Sequence, residues 1–150
     1  MKVRDIMVQP LVTVREETTL HDVAQTMLER RVGCVLVLDG AGELRGIITE
    51  SDFIGKERGI PFSSFRMPQV FGQWFGHDDV ERVHEAARER VANEIMSKPV
   101  VTIEYDETVT ELVRRMIARD IKRVPVVREG KLVGIVARHD LLKLMAEGRR

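Results

Sequence analysis

The chain repeats itself, and this limits its possible folds more than any other feature. Displaced by 89 positions, Ile6-Met7 falls on Ile95-Met96, Pro10 on Pro99, Val12-Thr13 on Val101-Thr102, Thr19 on Thr108, Met27 on Met116 and Val35 on Val124. One residue is then lost in a turn. At a displacement of 88, Gly42 falls on Gly130, Leu44 on Leu132, Gly46-Ile47 on Gly134-Ile135 and Asp52 on Asp140. Such a chain folds as two similar supersecondary units, each too small to bury its apolar face alone. The duplication assigns residues 1–58 to one copy and 92–150 to the other, with 59–91 as a non-repeated insert and connecting helix.

Each copy reads in the same order. A short β segment, Leu11 to Val14 or Val100 to Ile103, precedes a helix announced by Thr19 with Asp22 three residues on, or by Thr108 with Glu111, the reciprocal capping pattern. Apolar residues then recur at helical spacing: Leu20, Val23, Ala24, Met27 and Leu28 in one copy, Val109, Leu112, Val113, Met116 and Ile117 in the other. One face of each helix is therefore buried. Val35 to Leu38, a turn with Gly40 and Gly42, and Leu44 to Ile48 read as a hairpin, matched by Val124 to Val127, Gly130 and Leu132 to Val136. A last helix starts after Thr49 or Ala137, the second of them apolar on most sides from Leu141 to Ala146. The expected fold class is α/β in the α+β sense: two β-α-β-β-α units, each with a small mixed sheet, related by a pseudo-two-fold and packed sheet against sheet. That packing would leave two clefts, each lined by the start of the first strand, the second strand and a strand-to-helix corner.

The corners, Gly46-Ile47-Ile48-Thr49-Glu50-Ser51-Asp52 and Gly134-Ile135-Val136-Ala137-Arg138-His139-Asp140, carry the chemistry. Each sets a carboxylate in the first turn of a helix, where free backbone N–H groups favour anions. Strand ends of this kind are where open α/β units receive ligands. Thr49 to Asp52 is equally a capping box that would serve any helix start. Asp140 persists where its capping partner has become Ala137, so capping accounts for it less well.

Composition narrows the function classes. Lysine plus arginine equals aspartate plus glutamate, 24 of each, so no net field draws the chain to nucleic acid or an anionic membrane. One cysteine, Cys34, allows no internal disulfide and suits a reducing compartment. With no apolar run near 18 residues and no charged-then-apolar leader, a cytoplasmic location is expected.

The order of elements, the Ile-Met-x-x-Pro-x-x-Thr openings (Ile6, Met7, Pro10, Thr13 and Ile95, Met96, Pro99, Thr102), the Arg123-Val124-Pro125-Val126-Val127 strand and the Gly-Ile-Ile-Thr-x-x-Asp corner resemble the CBS domain, named after cystathionine β-synthase. A tandem pair of these is a Bateman module, and the resemblance covers everything except residues 59–91. It implies modules that bind adenosine-containing ligands such as AMP, ADP, ATP, S-adenosylmethionine or NAD, regulate attached or associated enzymes and transporters, and commonly dimerise as flat discs. Carried over by position, the resemblance makes Asp52 and Asp140 acceptors for the two ribose hydroxyls and Thr49 a contact to ribose or phosphate. Ala137 lacks that hydroxyl, with Arg138 and His139 placed to meet phosphate instead. Adenine maps to Thr13, Cys34 and Val35 in one copy and to Thr102, Arg123, Val124 and Pro125 in the other. Leu36 stands where the family often has the proline. Copy one keeps the better corner, copy two the better strand.

The reading that follows is a regulatory module with no catalysis, no catalytic cofactor and no metal, expected to be a homodimer that signals ligand binding to a client. A dimerisation or client-binding scaffold with vestigial clefts is the alternative, and an unrecognised enzyme a further one. No phosphate loop or nucleophile with its base appears. Cys34, at a strand start, reads as a buried inert thiol. His77 and His84, near Asp78, Asp79 and Glu81, match no metal-ligand spacing, and His21 reads as exposed. The insert concentrates Phe62, Phe65, Phe71, Trp74 and Phe75. They would either cover the monomer's own surface or make a contact surface. A helix with Val80, Val83, Ala87 and Val91 on one stripe is expected to follow.

Overall fold

The computed structural model describes residues 1–9, 11–54 and 77–147. Pro10 and the aromatic cluster Phe62, Phe65, Phe71, Trp74 and Phe75 lie outside the described residues. The element order is β1 (Thr13–Arg15), α1 (Leu20–Arg30), β2 (Cys34–Leu38), β3 (Leu44–Thr49), α2 (Glu50–Ile54), α3 (His77–Glu89), α4 (Ala92–Ile95), β4 (Ile103–Glu104), α5 (Val109–Arg119), β5 (Arg123–Arg128), β6 (Lys131–Ala137) and α6 (Arg138–Ala146). Both copies thus show the β-α-β-β-α order. Among the described residues no helix is long and apolar enough to cross a membrane.

Each sheet has three strands and is mixed: β1 runs parallel to β2, and β2 antiparallel to β3; β4, β5 and β6 repeat this. β1 and β4 are shorter and begin later than the hydrophobic pattern suggests, because only Thr13–Arg15 and Ile103–Glu104 pair along their neighbours. A bulge falls at Val37/Leu38 in one sheet and at Val126/Val127 in the other, equivalent positions. The β5–β6 turn is made by Glu129 and Gly130, both at positive φ (51° and 78°), which is the two-residue turn that matches strand twist.

The helices obey local rules. Thr19 and Thr108 accept N–H bonds from Asp22 (3.2 Å) and Glu111 (3.1 Å). The return half of each capping box is diverted: Asp22 Oδ1 lies 3.0 Å from His21 Nδ1, and the Glu111 carboxylate faces Arg114 and Arg115. Both helices end in a left-handed residue, Arg31 and Asp120, whose N–H groups satisfy carbonyls of the last turn. Three expectations are corrected in α1, α3 and α5. Leu28 and Ile117, counted with the apolar stripes of α1 and α5, are exposed because nothing in the described residues packs over the ends of those stripes. Val80 is exposed and Val91 lies beyond α3, where it bridges to Thr19; within α3 it is Val83, Ala86 and Ala87 that are partly buried. His21 is half-buried, its ring meeting His84 edge-on at 5.5 Å between centroids.

The spatial units cut across the repeats. One comprises Val12–Pro99, the other Met1–Leu11 with Val100–Arg150. In the first, Ala92, Ile95 and Met96 join the core of Val14, Leu20, Val23, Met27, Val35, Val37 and Ile48. In the second, Val3 joins Ile103, Leu112, Met116, Val124, Val126 and Val136, with Ile6 and Met7 packed against them. The lead-in of each repeat therefore completes the core of the other repeat's sheet. Backbone bridges fix the exchange: Thr19 with Val91 and Ile47 with Ser97 in one unit, Thr108 with Lys2 and Ile135 with Val8 in the other. Tyr105 helps hold the second docking, its ring lying under the guanidinium groups of Arg4 (5.4 Å) and Arg128 (4.7 Å).

Gly46 and Gly134 make room for this docking. A Cβ at Gly46 would stand 2.5 Å from Met96 Sδ and 2.9 Å from its Cβ; one at Gly134 would stand 2.7 Å from Met7 Sδ. Gly46→Ala is expected to lower stability by about 1–3 kcal/mol, the range for overpacking a tight contact. Urea denaturation checks it, and the loss should shrink in a Met96→Ala background, where the two closest atoms are gone.

Candidate functional site

At the first corner β3 ends at Thr49, opposite Cys34 at the start of β2, and α2 begins at once. Asp52 Oδ2 accepts the Thr49 N–H at 2.8 Å and its hydroxyl at 3.3 Å, and that hydroxyl also meets Ser51 Oγ at 2.8 Å. Oδ1 accepts a longer bond, 3.3 Å, from Ser97 Oγ. Ser97 sits 45 residues away on the docked lead-in, and no local signal in the sequence points to it.

The second corner repeats the plan. Asp140, the described charged residue most withdrawn from water at 8% exposure, accepts the Ala137 N–H through Oδ2 at 2.8 Å, and Lys143 Nζ reaches Oδ1 at 3.2 Å. In both copies, then, one carboxylate oxygen caps the helix and the other meets a longer contact from a pliant side chain. Among the described residues no buried side-chain nitrogen or oxygen is left without a partner, so neither corner needs a ligand to be stable.

The remaining candidates divide by exposure. Val35 and Val124 are wholly buried in the two cores and can offer a ligand only their backbone. Strand alternation puts Leu36 and Pro125 on the opposite face of each sheet, both buried. Thr13 pairs with Leu36, and Thr102 precedes β4 with its carbonyl held by Arg115 Nη1 at 3.0 Å. Arg123 is half-buried at the start of β5, opposite Ala137. His139 is exposed at the head of α6. Arg138 is already engaged, donating to the Ile121 carbonyl at 3.1 Å and to Asp120 Oδ1 at 3.2 Å. Cys34 is half-buried. Among the described residues no group of three or more histidine, cysteine, aspartate or glutamate side chains is placed to share a metal ion.

A depression of about 290 Å³ lies along α5, lined by Val101, Glu111, Arg114, Arg115, Ala118 and Arg119. None of the candidates inferred from sequence lines it. Glu111 is the hub: it takes Arg114 Nε and Nη2 at 2.7 and 2.8 Å and Arg115 Nε at 2.7 Å. The Arg114 hydrogen bonds first, then the Arg115 bond, and then their positive charges, hold its carboxyl at about 2, down from an ordinary 4.5, and the same pairing raises Arg114.

The architecture is a duplicated β-α-β-β-α fold with a strand-to-helix corner in each copy. The family model for the CBS domain matches residues 3–59 and 91–147, and the chain belongs to this family as a pair of CBS domains. The CBS domain of a CBS domain-containing membrane protein from Sphaerobacter thermophilus is 44% identical with a TM-score of 0.80, over 96% of this chain and 87% of that one. CBSX2, solved in complex with AMP, has a TM-score of 0.74 at 20% identity, covering 99% of each chain, and so matches in fold. An uncharacterised protein of Methanopyrus kandleri is 31% identical over 96% of this chain. The chain spans 62% of that relative's length, and 32% of the length of an uncharacterised relative from Methanocaldococcus jannaschii.

The depressed Glu111 carboxyl sets a pH signature. Since its folded value lies below the unfolded one, its contribution is complete above about pH 4.5 and is lost as pH falls towards 2. Urea midpoints of the wild type and Glu111→Gln should differ by a constant amount at neutral pH and converge across that window. A gap that ignores pH would assign the difference to packing.

Proposed function

We propose that this CBS pair is a regulatory module that binds an adenosine-containing ligand, AMP, ADP, ATP or a relative such as S-adenosylmethionine or NAD, and passes the change to a client, with no catalysis of its own. One observation carries the reading. In both copies a corner aspartate keeps one oxygen on the helix end and leaves the other with only a long contact, 3.3 Å to Ser97 or 3.2 Å to Lys143. A carboxylate has lone pairs enough to cap and still accept from a ribose diol, and either pliant neighbour can give way. The AMP complex of a protein with the same fold supports the ligand class. Thr13, Cys34, Val35, Thr49 and Asp52 would form one site, and Thr102, Arg123, Val124, Pro125, Arg138, His139 and Asp140 the other. For phosphate at the second site, His139 and Arg123 are the more available donors, since Arg138 is bound to Asp120 and Ile121.

A second reading is favoured by the completeness of the caps. Because both aspartates are satisfied by protein atoms, the corners also suit a scaffold whose clefts have lost their ligand. Titration with AMP, ATP, S-adenosylmethionine and NAD separates the two. Ligand at a hundred times its dissociation constant adds about 2.7 kcal/mol of stability, read as a rise in Tm. Asp52→Asn and Asp140→Asn should fold normally and lose the response at their own site, because the single amide oxygen stays on the cap and an NH₂ group faces the diol. A wild type silent to all four ligands leaves the scaffold.

A homodimer fits the exposed apolar residues. Leu28 in α1 and its counterpart Ile117 in α5 are 79% and 75% exposed, and Met145 in α6 is 81% exposed. Equivalent helices offering equivalent apolar side chains suit a symmetric contact with a second copy. Leu28→Glu with Ile117→Glu should shift the wild-type dimer to monomer in sizing chromatography; a monomeric wild type would overturn the assignment.

A further inference from the structure

The depression along α5 is charged in a way that folding does not require. Three guanidinium groups, those of Arg114, Arg115 and Arg119, surround it with one carboxylate, Glu111. Arg119 has no carboxylate partner among the described residues, and Arg115 is fixed by its bond to the Thr102 carbonyl. Several guanidinium N–H groups thus remain unused around a small concavity whose remaining walls are Val101 and Ala118. The net excess is two positive charges.

The duplication supplies an internal control. The positions on α1 equivalent to Glu111, Arg114, Arg115, Ala118 and Arg119 hold Asp22, Gln25, Thr26, Glu29 and Arg30. α1 makes the same helix, with the same threonine cap and the same left-handed end, on side chains of net negative charge. Only the terminal arginine is shared, and it suits the negative end of a helix in either copy. Arg114, Arg115 and the small Ala118 are what repeat two adds.

We propose that this depression is an anion site, separate from the adenosine corners, that takes a free phosphate or pyrophosphate group. The Arg119 guanidinium and the unused Nη1 of Arg114 suit the terminal oxygens of such a group, two excess charges match its dianion, and the small Ala118 stands where the other copy carries the acidic Glu29. The site shares no residue with the second adenosine site but touches it through Arg115, which holds Thr102. Anion binding would therefore bear on the neighbouring strand.

Calorimetric titration with sodium pyrophosphate, at ionic strength held constant with KCl, tests the assignment, with AMP titrated in parallel. Ala118→Glu installs the residue of the other repeat and should weaken pyrophosphate binding by about tenfold or more, as should Arg114→Gln with Arg119→Gln. Circular dichroism verifies folding, and the second variant serves if the first does not fold. The AMP response should persist in both. Absence of pyrophosphate binding to the wild type, binding unchanged in the variants, or loss of the AMP response along with that to pyrophosphate would each overturn the proposal. A failure of the adenosine reading alone, with pyrophosphate still bound, leaves it standing.

Discussion

Met96 fills the space a side chain at Gly46 would need, and Met7 does the same at Gly134, so each sheet is finished by a segment belonging to the opposite repeat. The contact is steric before it is energetic. A bare strand position lets a thioether lie against the backbone, and once it does, Ile95 or Ile6 follows into the core and a bridge closes at Ser97 or Val8. The three-stranded sheets are too small to bury their own faces, and the borrowed segments supply the missing apolar area. This also decides the first corner, because it is the docking at Gly46 and Ile47 that brings Ser97 to Asp52.

The two corners have diverged around a common core. Asp52 is surrounded by hydroxyls, from Thr49 and Ser97, and Asp140 by an ammonium group, from Lys143. A neutral donor yields its acceptor to an incoming diol with little electrostatic change, whereas Lys143 keeps a positive charge beside the second corner whether or not it stays bonded. The outer faces have diverged as well, α1 acidic and α5 basic over equivalent positions. Divergence of charge on a conserved helix frame separates what the fold needs from what it permits.

Much of this was legible along the chain. Periodicity and capping residues located both copies, because helix starts and hairpin turns are local: Thr19 and Thr108 bond three residues ahead, and Glu129-Gly130 turns on its own dihedrals. What escaped was non-local or competitive. The lead-ins pack on the opposite repeat, a fact that self-similarity conceals because both copies exchange alike. Asp22 and Glu111 left their capping boxes for closer partners, His21 and the arginines. Arg138 looked available for phosphate because its partners, Ile121 and Asp120, become neighbours only when α5 ends in a left-handed turn at Asp120. Val80 looked buried from its spacing alone, yet a stripe on a helix is buried only where something faces it.

The exchange of lead-ins also orders events at the ribosome. Residues 12–99 contain every segment of their own unit and can close while the chain is still growing, but Met1–Leu11, made before them, belongs with Val100–Arg150, made after them. The N-terminal stretch, including the apolar Val3, Ile6 and Met7, must therefore wait unpaired until β4, α5, β5 and β6 emerge. During that interval it is open to a chaperone, or to the equivalent sheet of a neighbouring copy.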